Sequence, residues 1–170
     1  MRVSRRHWLK GLLGGVLLAA VPRGASAGQV VQFGGYSPGT IVIVTHAREL
    51  YFVLGGGRAI RYPVGVGKAG QAWSGRARIA RKDIRPAWSP PADIWRRRPY
   101  IPEVIPGGRP SNPMGAAAMG LNRGNYAIHG TNEPGSIGRF VSHGCIRMHN
   151  SDILDLYRRA PIGTEVVVLR

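Results

Sequence analysis

The only cysteine of the 170-residue chain, Cys145, stands in the run Ser142-His143-Gly144-Cys145-Ile146-Arg147, and His129-Gly130 lies sixteen residues upstream of it. An ordinary thiol has a pKa of about 8.5, so only a few per cent is thiolate at neutral pH. A neighbouring imidazole that takes the proton turns such a cysteine into a nucleophile. The glycine before Cys145 lets a substrate approach the backbone closely. Backbone N–H groups beside it are placed to hold a developing oxyanion. Arg147, two residues on, offers a fixed fork for a substrate carboxylate.

Other readings of the same residues stand beside this one. His129, His143, Cys145 and His149 are ligand types that suit zinc, but their spacing lacks the usual paired short spacers. A free cysteine is often an inert buried thiol, although a glycine on one side and a histidine and arginine nearby make a poor core environment. His149 reads as a structural or surface histidine. One cysteine excludes an intramolecular disulfide framework and any Cys-rich zinc or iron–sulfur site.

The elements that must position these residues are mainly strands. Gly and Pro number 25 and 13 without a G-X-Y period, which points to many turns and short strands. Ile41 to Thr45, Glu49 to Leu54 and Arg58 to Val66 are rich in β-branched and aromatic residues, and Gly55-Gly56-Gly57 predicts a hairpin between the last two. Arg76 to Asp83 alternates like an exposed strand. Asn125 to His129 reads as a short strand ending at a glycine, and Cys145 to Met148 as a short strand or turn. Asn150 is placed to cap a helix from Ser151, with Ile153, Leu156, Tyr157 and Ala160 on one face and Pro161 and Gly163 ending it. Glu165 to Leu169 closes the chain as an interior strand. Residues 86–113 hold eight prolines with Trp88 and Trp95, and read as a structured lid or cleft wall. The sum is a mainly β, mixed α+β domain with one late helix.

His129-Gly130-Thr131 and Ser142 to Met148 together closely resemble the L,D-transpeptidase catalytic domain of the YkuD type. Leu54 to Val66, Asn112-Pro113-Met114-Gly115 and the terminal strand ending at Leu169 are similar to it as well, so the resemblance covers residues 40–170. It implies a YkuD-like β-sandwich, with Cys145 as nucleophile and His129 as general base and acid. It further implies that Ser142, His143, Gly144 and Gly130 line the site, that the N–H groups of Gly144 and Cys145 face the oxyanion, and that Arg147 supports the site or engages a carboxylate. Position 143 takes His or Ser in such motifs. The Gly130 carbonyl or a nearby backbone group is expected to orient His129, and Glu133 reads as a loop residue. The implied reaction is acyl transfer on peptidoglycan stem peptides, with no metal and no organic cofactor. Hydrolysis by the same thioester, and a non-catalytic basic wall-binding module, are the alternatives. A papain-like peptidase places its cysteine before its histidine, the reverse of the order here. A sortase-like enzyme places its cysteine and arginine on separate strands.

Residues 1–27 read as an export signal. Arg5-Arg6 precede an apolar stretch from Gly11 to Val21, and Ala25-Ser26-Ala27 offers a small-residue cleavage site. The paired arginines point to the twin-arginine route, with ordinary secretory export as the alternative. The apolar run is short for about 30 Å of hydrocarbon, so no stable membrane span is expected after cleavage. Residues 28–39 read as a polar, glycine-rich leader, and the expected location is periplasmic or wall-associated. Loss of Arg2, Arg5, Arg6, Lys10 and Arg23 would lower the formal charge from +16 to +11. Such a chain favours anionic partners, and an exported one meets carboxylate-bearing wall rather than nucleic acid. Nothing in the sequence sets an oligomeric state.

Overall fold

The computed structural model describes residues 28–170, so the export-signal reading lies outside the described residues. Eleven strands follow in order: β1 (Gln29–Gln32), β2 (Ile41–Val44), β3 (Glu49–Gly55), β4 (Arg58–Pro63), β5 (Val66–Gly67), β6 (Gly75–Ile84), β7 (Ala117–Leu121), β8 (Ala127–His129), β9 (Phe140–Ser142), β10 (Ile146–Arg147) and β11 (Glu165–Leu169). Helix α1 (Ala92–Arg97) lies between β6 and β7, and α2 (Asn150–Arg159) between β10 and β11. Nine strands form one sheet in the order β1-β4-β3-β2-β11-β6-β7-β8-β10, and β5 pairs with β9. The fold is mostly β-sheet, as the strand-rich sequence predicts.

Strand β6 joins two halves of the sheet. Its first residues pair with β11 (Ala77 opposite Val166), its last with β7 (Asp83 opposite Ala118), and a register shift falls between Ile79 and Arg81. A bulge of this kind bends and twists a strand. Ile41, Ile43, Leu50 and Tyr62 of one half and Met119, Leu121 and Ile128 of the other therefore belong to one core, which Ile153 and Leu156 of α2 and Ala160 just after it complete. Tyr62 donates a 2.7 Å hydrogen bond to Asp155 on α2, and Arg159 holds the same carboxylate at 2.9 and 3.0 Å.

The structure departs from the sequence reading in four places. Gln29–Gln32, read as leader, forms β1 and pairs antiparallel with β4. Phe33 in the same segment stacks on Tyr51 with ring centroids 4.0 Å apart. Strand β7 was not foreseen; its Ala-Ala-Met-Gly-Leu sequence shows no period-2 pattern because all five residues are buried. The predicted strand from Arg58 to Val66 breaks after Pro63, and Val66 turns to pair with Phe140. Helix α1 lies inside the Pro-rich segment, so the late helix has a short companion.

Candidate active site

Cys145 reaches its place through a strand threaded between two neighbours. On one side β10 runs parallel to β8, with Ile146 opposite Ile128 and Arg147 opposite His129. On the other, Gly65 and Arg147 exchange both backbone hydrogen bonds, at 2.9 and 2.8 Å. Ile128 and Ile146 are buried in the core. Side chains alternate along a strand, so His129 and Arg147 share the opposite face. Cys145 immediately precedes β10, and its thiol interacts with the backbone of Ala127, two residues before His129 on β8.

A tight turn aims the thiol. Ser142 is buried, and its hydroxyl donates to the Cys145 carbonyl at 2.6 Å while accepting from the Gly144 N–H at 3.1 Å. Gly144 has φ +118°, and a Cβ there would stand 2.4 Å from the Tyr126 ring. Only glycine fits. Trp73 stacks on Tyr126 at 5.3 Å and donates its indole N–H to the Gly144 carbonyl at 3.0 Å. The sequence expectation that Gly144 N–H faces an oxyanion is therefore corrected: that donor is bonded to Ser142, which leaves the Cys145 N–H of the pair. The half-buried thiol lies 3.8 Å from the Asn125 carbonyl. Burial pushes its pKa up, against the lowering effect of a backbone hydrogen bond at Ala127 and the charge of Arg147.

His129 is 5% exposed, and its Nδ1 lies 2.6 Å from the Gly130 carbonyl. That bond assigns the proton to Nδ1 and leaves Nε2 as the basic nitrogen. Burial lowers the imidazole pKa to about 4 and Arg147 adds to the shift, opposed by backbone bonds to Gly130 and Pro113. The ring is thus neutral at physiological pH. Among the described residues no acid bonds to it: Glu133, the nearest acid in sequence, forms a 3.0 Å ion pair with Arg147. His143 is exposed on the cleft wall, and His149 is the residue just before α2. Among the described residues no three His, Cys, Asp or Glu side chains converge as a metal site, and the zinc ligand set is not assembled.

Two asparagines outside the foreseen set brace the surroundings of the site, Asn150 at the end of the His129 strand and Asn112 in the Pro-rich segment. Asn150 accepts from the N–H groups of Ala116 and Thr131 at 2.9 and 3.2 Å and donates to the Thr131 carbonyl at 3.0 Å. It makes no capping bond to α2, which corrects its expected role. Asn112 is 1% exposed and donates to the carbonyls of Pro86, Ile105 and Pro106, buckling both ends of the Pro-rich segment. That segment roofs a cleft of about 920 Å³, whose floor includes His143 and Arg147. A cysteine, a neutral histidine and a backbone donor at one sheet end are the groups that acyl transfer through a thioester would employ.

The comparisons with known proteins agree with that class. The L,D-transpeptidase catalytic domain (YkuD) matches residues 38–168, and the chain belongs to this family. It is 37% identical over 136 residues to "Probable L,D-transpeptidase YbiS" of Escherichia coli K12, covering 75% of this chain and 43% of that one. The chain thus spans less than half the length of that relative. An L,D-transpeptidase from Mycobacterium smegmatis shares the fold with a TM-score of 0.61 at 19% identity, over 77% of this chain and 58% of that one. A Brucella melitensis protein named a probable carnitine operon oxidoreductase is 45% identical, with a TM-score of 0.55, over 83% of this chain and 92% of its own. Among the described residues no helix is long and apolar enough to cross a membrane.

Proposed function

We propose that this chain is an exported cysteine L,D-transpeptidase that acts on peptidoglycan stem peptides. The observation that supports the reading is the pairing of β10 with β8, which sets Arg147, two residues after Cys145, opposite the neutral His129, with Arg147 and His143 of the same motif lining the cleft. His129 Nε2 takes the thiol proton as Sγ attacks the carbonyl carbon of the third residue of a donor tetrapeptide. The Cys145 N–H faces the oxyanion of the tetrahedral intermediate. As that intermediate collapses, the C–N bond to the terminal D-alanine breaks, its amine leaves with the proton from His129, and a thioester remains. A side-chain amine of a second stem attacks the thioester, gives its proton to His129, and releases Cys145 as the new amide forms. Water in place of the amine gives hydrolysis instead. Residues 1–27 serve as the export signal, which brings the site to its substrate outside the cytoplasm.

The test is mass spectrometry of purified muropeptides incubated with the protein and with Cys145→Ala. Loss of D-alanine with formation of a cross-linked dimer is expected for the native chain, and neither for a folded variant. Turnover by folded Cys145→Ala sinks the cysteine mechanism.

A further inference from the structure

The cleft roof carries a charge pattern that the acyl-transfer chemistry does not use. Arg98 and Arg109 project from the 86–113 segment into the cleft lining, and Lys68 faces it from the end of β5. The one acid among the described lining residues, Glu133, is already paired with Arg147. No ion pair to another described residue engages Lys68, Arg98 or Arg109. Cations of one sign lining a cleft raise its potential and favour an anionic ligand there. The roof is also held in place. Trp88 and Ile105 exchange backbone hydrogen bonds at 2.9 and 2.8 Å, Trp95 donates to the Ile101 carbonyl at 3.1 Å, and Asn112 fastens the base. A backbone already held in place need not be ordered when a ligand binds.

We propose that Lys68, Arg98 and Arg109 form an anion subsite that holds a non-reacting carboxylate of the donor stem, making the enzyme selective for stems whose acids are free rather than amidated. The inference rests on the functional reading above. A carboxylate accepts charged hydrogen bonds from guanidinium groups, whereas a carboxamide brings no charge and presents N–H donors to groups that only donate. The discrimination is therefore electrostatic and acts on binding of the stem, ahead of the chemical step at Cys145.

The experiment compares two synthetic donor tetrapeptides, one with its non-reacting carboxylates free and one with them converted to carboxamides. Each is assayed for D-alanine release by the full protein, Arg98→Gln/Arg109→Gln, Lys68→Gln and Arg109→Glu. Iodoacetamide labelling of Cys145 and the melting temperature verify that each variant is folded with its thiol accessible. The native protein is expected to favour the free acid by about five- to tenfold in kcat/KM, mainly through KM. The double Gln variant should bring the ratio near one, Lys68→Gln should lower it less, and Arg109→Glu should reverse it. The native preference should also shrink with added salt. Equal kcat/KM for the two stems, or a preference unchanged in the double variant, overturns the subsite while leaving the transpeptidase reading standing. Conversion of neither stem by a protein whose thiol still alkylates overturns both.

Discussion

The indole N–H of Trp73 donates to the carbonyl of Gly144, the residue before the thiol, at 3.0 Å. The same ring stacks on Tyr126, whose edge fills the space a Gly144 side chain would need, and Arg123 lies 4.9 Å above the Trp73 ring. One aromatic pair therefore fixes both the position and the φ of the residue that aims Cys145. Trp73→Phe keeps the stack and deletes the bond. It is expected to cost about 1 kcal/mol of stability and to slow thiol acylation by roughly tenfold, because reacting groups held loosely lose alignment. Stopped-flow acylation beside a thermal melt checks this; an unchanged acylation rate with lowered stability would assign Trp73 to the core alone.

Burial raises the Cys145 pKa and lowers that of His129 to about 4, so both are neutral between pH 5 and 8. The pH profile of iodoacetamide labelling is expected to rise steadily through neutrality and bend only above the ordinary thiol range of about 8.5. No inflection should appear near pH 6.5. A plateau already reached at pH 7 would show a resting thiolate–imidazolium pair instead.

Two buried groups make stability depend on pH in separate windows. His129 has a folded pKa below its ordinary 6.5, so the unfolded chain takes up a proton first as pH falls. Its contribution is complete above 6.5 and is lost between there and about 4. For Asp155, burial raises the pKa, but the hydrogen bonds from Arg159 and Tyr62 outweigh it and hold the carboxyl below 3.8. That contribution is complete above 3.8 and is lost as pH falls through the folded value. Chemical denaturation across pH 3–8 should show both slopes; His129→Gln removes the upper one and Asp155→Asn the lower, the latter at a cost of about 1–3 kcal/mol.

Much of this was legible in the residues. The β-branched runs of β2 and β11, the Gly-rich hairpin and the periodicity of α2 reflect local preferences that the chain carries wherever it goes. The Cys145 motif and His129 are equally local. Strand β7 was not legible, because all five of its residues are buried and its small side chains carry no alternation. Asn150 looked like a helix cap because capping is a local habit, yet its side chain bonds to Ala116 and Thr131, residues that only the tertiary fold brings near. Trp73 carries no sequence signal at all, since its partner is a carbonyl 71 residues away.

A carbapenem-type β-lactam is expected to acylate Cys145, because its strained carbonyl resembles the donor acyl group. The intact mass should rise by one drug equivalent, and peptide mapping should place the adduct on Cys145. An adduct elsewhere, or none on a protein that still alkylates with iodoacetamide, counts against the proposed acyl transfer.

Three histidines stand near the thiol in sequence, and their positions divide the work among them. His129 is held on β8 by the Gly130 carbonyl, with Nε2 left basic and its residue paired with Arg147, two positions after Cys145. His143 is exposed and lines the cleft, separated from Cys145 by a turn that Ser142 pins. His149 immediately precedes α2, beyond Arg147 and near the buried Asp152, whose carboxyl pKa burial raises and His149 lowers. A positioned general base contributes about 10²–10⁴-fold, or roughly 3–5 kcal/mol of barrier. His129→Ala should cost that much in acylation rate and should also slow labelling of the thiol at neutral pH. His143→Ser should cost far less, since that position only walls the cleft, and His149→Ala least. The decisive comparison is thiol labelling in all three variants at pH 7. A silent thiol in His143→Ala with a reactive one in His129→Ala would transfer the role of base to His143, and the cysteine chemistry would remain.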